Sequence, residues 1–444
     1  MSIDLIIHSA NQVLTLAGVA PKRSAAQGDL AITRSGDGAV AIGGEKIVAV
    51  GDTLDLLALA DDHTHKIDAR GKIVLPGFVD AHTHAVFAGD RANEFETRLQ
   101  GRRSRDPQRD ASYLDIQKAG GGIMSTVRAT RAASLEELVT ASRARLDAML
   151  AHGTTTAEVK SGYGLEAENE IKMLIAIAAL DAEHPMDLIP TFLGAHLVPA
   201  EYAGQADEYV NRVLEMLPRV ASHGDFGMHG VDGPVTRAHH RLAEFVDVFC
   251  DEGAFTVEQA RKILAAAKSY GLGLRVHADE FANLGAATLA AELGAASADH
   301  LMVTRRDEMR AMANANVVAV LLPGTTFGLG KTDFADGRAF IEENVPVALG
   351  SDLNPGTCWC ESMPFIIALA CRYEKLTPAE ALVAATVNAA YSLGIADRVG
   401  SLEPGKLADV LIADVPDYRH LAYRFGANPI ETVVKRGKIV VGRG

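Results

Sequence analysis

His82 and His84 stand two residues apart at the end of the apolar run KIVLPGFVDAHTH. On a β-strand that spacing puts both imidazoles on one face, where they can share a single cation. Spacing alone is weak, because His63 and His65 repeat it inside the polar stretch DDHTHK. With no apolar strand behind it, that second pair reads as an exposed turn. The first pair gains weight from residues that end other apolar runs: His277 and Glu280 in VHADE, His300 in SADHL and Asp352 in ALGSDLNPG. Three imidazoles and a carboxylate drawn from such a set can bind Zn²⁺ or Fe and leave a position for water, whose pKa falls toward about 7 on zinc. Any one of these side chains alone is better read as a buried, hydrogen-bonded structural residue. Converging on one mouth, they are better read together as a metal site.

Convergence needs a scaffold that brings several strand ends together. Eight strand candidates alternate with helical patterns, at 72–84, 154–164, 187–198, 245–253, 273–280, 297–302, 317–324 and 345–356. Amphipathic blocks such as SLEELVTASRARLDAMLAHG from Ser134 and GLEAENEIKMLIAIAALDAEH from Gly164 fill most of the gaps. This alternation predicts an α/β fold, a (β/α)8 barrel with its active site at the C-terminal ends of the strands. Outside it lie short β-rich runs, LIIHSANQVLTL and GAVAIGGEKIVAVG near the start, GSLEPGKLADVLIADVP and IETVVKRGKIVVGRG near the end. Isolated hairpins of this size are marginal alone. The two ends are therefore expected to form one composite β-sandwich domain, 1–74 with 400–444, beside a barrel of 75–399.

Composition limits the function classes. The 444 residues are 48% hydrophobic and 23% charged, enough for a large core and far from a disordered composition. Against 43 Lys and Arg stand 57 Asp and Glu, a net charge of −14 that disfavours nucleic acid and membrane surfaces as partners. Four cysteines without a C-x-x-C pair predict a reducing, cytoplasmic setting. Cys358 and Cys360, either side of Trp359, read as packing. The leading MSIDLIIHSANQVLTLAG lacks the cationic region of a targeting segment, and no stretch reaches the roughly 20 apolar residues of a membrane span. Base rate alone makes a homodimer the default oligomer. The segment from Ala85 to about Ala133 is long for a βα connection and carries Arg91, Arg98, Arg102, Arg103, Arg105, Arg109 and the run Gly120 to Gly122. Such a segment is either a lid or binding loop or a solvated surface excursion.

LPGFVDAHTH, the H-x-x-E at 277–280, His300, GSD at 350–352 and the trailing GSLEPGKLADVLIAD together resemble the amidohydrolase superfamily along essentially the whole chain. The resemblance implies a TIM-like barrel hydrolase with His82, His84, His277 and Asp352 as the ligands of one Zn or Fe ion per chain. Superfamily members with two metals bridge them through a carboxylated lysine on the fourth strand, and FVDVFCDEG has none. Lys160, on the second strand, reads as a solvent-facing or substrate-proximal charge. HTHAVFAGDRANEF, KSGYGL, FLGAHLVP, VHADEF, SADHL and GSDLNPGT are similar to superfamily members that open an imidazolone ring in histidine degradation. That likeness implies hydrolysis of the cyclic amide 4-imidazolone-5-propanoate to N-formimidoyl-L-glutamate. It places Arg91, Tyr163, His196, Glu280, Asn354, Gly356 and Thr357 around a small substrate with a carboxylate. Arg91 suits a bidentate grip on that carboxylate by its own chemistry, whereas Tyr163 could equally be a core aromatic. The catalytic set expected from motif position is Asp352 as ligand and base, His300 beside the attacking water or the developing oxyanion, and Glu280 as proton relay to the departing nitrogen. One rival reading uses the same residues, an aminohydrolase that releases ammonia from a purine or pyrimidine; another, a non-catalytic barrel that serves as a binding protein, has no physical need for the convergent His and Asp.

Overall fold

The apolar runs become strands, but with earlier ends than the runs themselves. The structure, a computed structural model, describes residues 2–33, 36–103, 121–222 and 241–442. Its first strands are β1 (Leu5–Ala10), β2 (Gln12–Val13), β3 (Gly38–Gly43), β4 (Lys46–Asp52), β5 (His65–Asp68) and β6 (Ile73–Pro76). There follow β7 (Phe78–Asp80), β8 (Thr154–Lys160), β9 (Asp187–Ala195), β10 (Phe245–Cys250) and β11 (Gly273–Ala278). The last are β12 (Ser297–His300), β13 (Val318–Leu321), β14 (Val347–Leu349), β15 (Val410–Ala413), β16 (Ile430–Lys435) and β17 (Lys438–Val441). β7 to β14 lie side by side in chain order, each parallel to the next, with helices in the crossovers as parallel pairing requires.

The barrel closes beyond the regular ends of its first and last strands. Thr83 bridges Leu353, Asp352 N–H donates to His82 O at 2.9 Å, and His84 N–H donates to Leu353 O at 2.9 Å. The bonds that close the sheet are thus carried by the backbone of the very residues expected to bind metal.

The predicted strand 72–84 is two strands in two different sheets. Pro76-Gly77 is the switch: Gly77 N–H bonds Asp409 O at 2.9 Å and Phe78 N–H bonds Gly153 O at 2.9 Å. A Cβ on Gly77 would lie 2.1 Å from Thr155 Oγ1, so only glycine lets the chain pass this close to β8. β6 pairs with β15, in a sheet ordered β17-β16-β15-β6-β2 that joins strands from both ends of the chain. The other small sheet is β4-β3-β1-β5. Between the two, Ile7, Val40, Ile42, Val74, Val410 and Val434 share one apolar core. Lys435 and Arg436 then tie this part to the barrel, Lys435 Nζ meeting Asp187 at 2.7 Å and Asp409 at 2.6 Å. His65 opens β5 rather than sitting in a turn, and both it and His63 are exposed.

Helices begin where capping boxes stop the unravelling of their first turn. Ser134 with Glu137 opens Leu135–Ala151, Thr256 with Gln259 opens Val257–Ser269, and Thr377 with Glu380 opens Pro378–Ala384. Among the described residues no helix is long and apolar enough to cross a membrane.

Glu374 ends the helix Met363–Tyr373 only 1% exposed, and its Oε2 has no hydrogen-bond partner among the described residues. Burial pushes its carboxyl well above the usual carboxylate range. Above about pH 4.3 the unfolded chain releases this proton while the folded chain keeps it, so stability falls with rising pH by up to about 1.4 kcal/mol per unit until the folded pKa is reached. Glu374→Gln is expected to remove that slope. Its Tm advantage over the parent should widen from about pH 5 to about pH 8 in thermal melts, and a pH-independent difference would contradict the assignment.

Candidate metal centre

His82 and His84 follow β7, His277 lies on β11 and Asp352 follows β14, so the barrel's closure brings them to one point. One nitrogen from each of His82, His84 and His277 lies within 4.8 Å of the others. Asp352 Oδ1 is 3.5 Å from His82 Nε2 and 3.6 Å from His84 Nε2. Two metal bonds of about 2.0–2.1 Å at a tetrahedral angle would set donor atoms about 3.4 Å apart. All four side chains are buried, and Nε2 of both His82 and His277 lacks a hydrogen-bond partner among the described residues. Buried polar atoms are normally paired, so these lone pairs want an acceptor of another kind. Burial, together with Lys160 and His277 near His82 and with His196 and His277 near His84, holds both imidazoles well below the usual histidine range. Neutral imidazole is the metal-binding form. Burial pushes Asp352 up to about 6, against a hydrogen bond from the Thr325 hydroxyl. The donor set fits a divalent cation.

Beneath the cluster the barrel interior is charged where such interiors are usually filled with Val, Ile and Leu. Asp299 Oδ2 sits 2.7 Å from His82 Nδ1, and Asp247 Oδ2 lies 2.9 Å from His277 Nδ1. The hydrogen bond to Asp299 fixes the His82 ring with Nε2 turned toward the cluster, the arrangement that sets tautomer and orientation in metal sites, and Asp247 stands close behind His277. Lys160 Nζ in turn contacts Asp247 at 2.8 Å and Glu158 at 2.7 Å, and Arg275 reaches Asp299 at 3.2 Å and Glu158 at 3.7 Å. All five side chains are fully buried. Burial works against the Lys160 ammonium, but Asp247 and Glu158 outweigh it and leave its pKa raised. Asp247 is held well below the carboxylate range by His277 and Lys160 in spite of its burial.

Over the cluster lies a narrow pocket. Arg91, Tyr163, His196, Glu280, His300, Asn354 and Thr357 all line it, whereas Gly356 faces a neighbouring pocket. Arg91 Nε donates to Glu94 Oε2 at 2.7 Å, and Glu94 Oε1 accepts Gly122 N–H at 3.0 Å. A Cβ on Gly356 would lie 1.9 Å from Arg91 Nη1, so the guanidinium rests in the space the glycine leaves. Asn354 spends its amide inside its own loop: Oδ1 accepts Gly356 and Thr357 N–H at 2.9 and 2.8 Å, and Nδ2 donates to Asp352 O at 2.7 Å. His196 shares a close pair of N and O atoms with Gly162 O through Nδ1 at 2.9 Å, and burial with His277 nearby pushes it down to about 3. Its ring stacks on His84 at 5.1 Å. Glu280 is pushed well above the carboxylate range by burial and by Asp352 and Asp251. His300 Nε2 lies 3.8 Å from Glu280 Oε2. Strand alternation would point His300 away from Asp299's side; instead φ of +77° at His300 and +63° at Leu301 turns it into the mouth. Arg105, Arg109 and Gly120 lie outside the described residues.

A model of the amidohydrolase family matches residues 73–440. The imidazolonepropionase of Chloroflexus aggregans is 49% identical over 440 residues, covering 99% of this chain and 98% of its own. That of Herpetosiphon aurantiacus is 50% identical over 402 residues, 90% of this chain and 89% of its own. The chain belongs to the imidazolonepropionase family of amidohydrolases. Among solved structures, a zinc-bound adenosine deaminase from Xanthomonas campestris superposes with a TM-score of 0.69 at 20% identity, over 99% of this chain and 93% of its own. Atrazine chlorohydrolase from Arthrobacter aurescens, complexed with zinc, gives 0.67 at 19% identity, over 99% and 95%. At such identity the likeness shows the fold alone.

In this amidohydrolase Lys160 is neither solvent-facing nor at the substrate cavity, which corrects the sequence-level reading. It is the buried hub of the charged layer, because β8 is enclosed on both faces. The residues that sequence reasoning passed over are Asp247, Asp299, Glu158, Arg275, Asp251 and Thr325. A signal existed for two of them: Asp247 in FVDVFC and Asp299 in SADHL are lone acids within apolar runs, and a buried acid needs a partner. Lys160→Met removes a cation that holds both carboxylates behind the histidines, and a lost outer partner typically weakens metal binding about 10–100-fold. Titration of the apo-protein with zinc against a competing chelator should show that loss in the folded variant. Parent-like affinity would remove Lys160 from the metal site's support.

Proposed function

We propose that the chain opens the ring of 4-imidazolone-5-propanoate with water, giving N-formimidoyl-L-glutamate in histidine degradation, and that it uses one Zn or Fe ion to do so. One observation carries this reading: two members of a three-histidine cluster fit for a metal, His84 and His277, line one pocket with Asp352 and Arg91, in a chain that aligns over 99% of its length with an imidazolonepropionase. The partner is then a small carboxylate-bearing molecule rather than nucleic acid or a membrane, in keeping with a net charge of −14. Four free cysteines fit a reducing cytoplasm, and a homodimer is the proposed assembly.

Arg91, braced by Glu94, takes the propanoate as a bidentate pair and sets the ring's position. Tyr163 and His196 form the wall beside His84. His82, His84, His277 and Asp352 would hold the cation, and the chemistry it would supply there is to lower the pKa of a water, to about 7 on zinc. Asp352 receives the proton of the water as its oxygen attacks the ring carbonyl carbon. His300 stands where it can hydrogen-bond the oxygen that gains negative charge. Glu280 gives its proton to the ring nitrogen as the carbonyl C–N bond breaks, and that carbon becomes the new carboxyl group of the product, which releases its remaining proton to solvent as it ionises. The proton held by Asp352 then restores Glu280 for the next turnover.

The test is incubation of metal-replete protein with freshly generated substrate, following ring absorbance, ammonia and product mass. A one-water mass gain without ammonia is expected, while ammonia release would assign a deaminase and no change would withdraw the substrate. Two substitutions should separate binding from chemistry. Gly356→Ala pushes Arg91 aside and is expected to raise KM about tenfold or more with Tm nearly unchanged. Glu280→Gln should lower kcat by about 100-fold or more with metal content and KM close to the parent's. An unchanged KM in the first, or near-normal turnover in the second, would take that residue out of its role.

A further inference from the structure

Glu280 stands beyond the last residue of β11, after the chain has turned through Asp279 at φ +55°. Past the end of its ladder a strand has no sheet partner, so another group must set where the Glu280 carboxyl stands. That group is Asp251, the residue after β10. Its Oδ2 accepts the backbone N–H of Glu280 at 2.6 Å and of Phe281 at 3.0 Å, and its Oδ1 accepts that of Ala282 at 2.9 Å. Oδ1 also takes the N–H of Glu252 at 2.6 Å. Successive N–H groups closing on one carboxylate form an anion nest, and bonds to an ionised acceptor are roughly twice as strong as neutral ones. From the other side Asp279 Oδ2 accepts the Thr304 hydroxyl at 2.7 Å, and its carbonyl accepts Val303 N–H at 3.1 Å. Asp251 is 2% exposed and does not line the cavity over the metal cluster, whereas Glu280 does.

We propose that Asp251 is a positioning residue for the ring-opening reaction, resting on the function proposed above: it touches no reacting atom, and it sets the reach of Glu280 toward the departing nitrogen by fixing the backbone of 280–282. A misplacement of about 1 Å can lower a rate about 100-fold, so the hold is worth having. It differs from general support of the fold in a measurable way, because its effect should pass through Glu280 alone.

The experiment compares Asp251→Ala and Asp251→Asn in the full, metal-loaded chain. Each is expected to lower kcat about 10–100-fold with KM and metal content within about twofold of the parent. Placed on top of Glu280→Gln, Asp251→Ala should change kcat by less than about twofold, since the group it acts through is already disabled. Additive losses, a fall in metal content, or parent-like kcat in a folded Asp251→Ala would each overturn the proposal. Should the alanine variant fail to fold, Asp251→Asn decides, having the same shape and one acceptor oxygen. Amide hydrogen exchange at 280–282 gives a reading independent of turnover: exchange should quicken in both variants, and unchanged protection overturns the proposal. If the parent chain does not open the imidazolone ring, the functional reading falls, and the exchange measurement still decides whether Asp251 holds Glu280.

Discussion

Two carboxylates under the mouth of the barrel, Asp299 behind His82 and Asp247 behind His277, set the terms for everything above them. An ion moved into a protein interior loses several kcal/mol of hydration, and a buried charge stripped of its partner destabilises by about 3–5 kcal/mol. The structure meets this with Lys160 and Arg275, which interleave with Asp247, Asp299 and Glu158 so that each carboxylate touches a cation. Three carboxylates against two cations leave this layer short of positive charge. A divalent cation at the histidines, with Asp352 as its further anionic donor, would sit where that shortfall is. The same layer that orients the imidazoles thus makes the point above it favourable for a cation.

The mouth itself is held by a second device, carboxylates that bind loop backbone instead of cations. Glu170 accepts N–H from Gly164 at 2.7 Å and Leu165 at 2.8 Å and also binds Gly162, which fixes the turn that presents Tyr163. Asp251 does the equivalent for the turn after β11. Asn354 uses an amide for the same purpose in the loop after Asp352. Left-handed conformations at Asp279, His300 and Asp352, costing of order 1–3 kcal/mol each in general, persist at these strand ends because the surrounding bonds over-determine them. Rigid turns rather than long strands therefore carry the chemistry.

Much of this was legible in the sequence, for a physical reason: a polar side chain at the tip of a buried strand follows an apolar run, and the types able to ligate a metal or move a proton are few. His82, His84, His277, Glu280, His300 and Asp352 all showed that signature. The eight runs also marked the barrel, although the first of them hid a change of sheet at Gly77 that depends on how closely β8 approaches, a distance no local pattern contains. Lys160 was misplaced because a lysine after an apolar run more often reaches solvent than three buried acids, and only the assembled strands show which acids those are. Gly356 was assigned to the substrate's surroundings, and the structure gives it a different task, room for the Arg91 guanidinium. Side chains that act on groups distant in sequence leave little local trace: Asp251 holds the backbone after another strand and Thr325 bonds the Asp352 carboxylate, and neither was visible.

The claim on which the rest stands is that the buried layer poises three imidazoles and Asp352 for a single cation. X-ray absorption at the metal edge of the loaded protein tests it most directly. The expected shell is nitrogen and oxygen at about 2.0–2.2 Å with outer scattering from three imidazole rings, and no second metal. Sulfur at about 2.3 Å, which would bring in Cys358 or Cys360, or a metal–metal distance of about 3.5–4 Å, would contradict it.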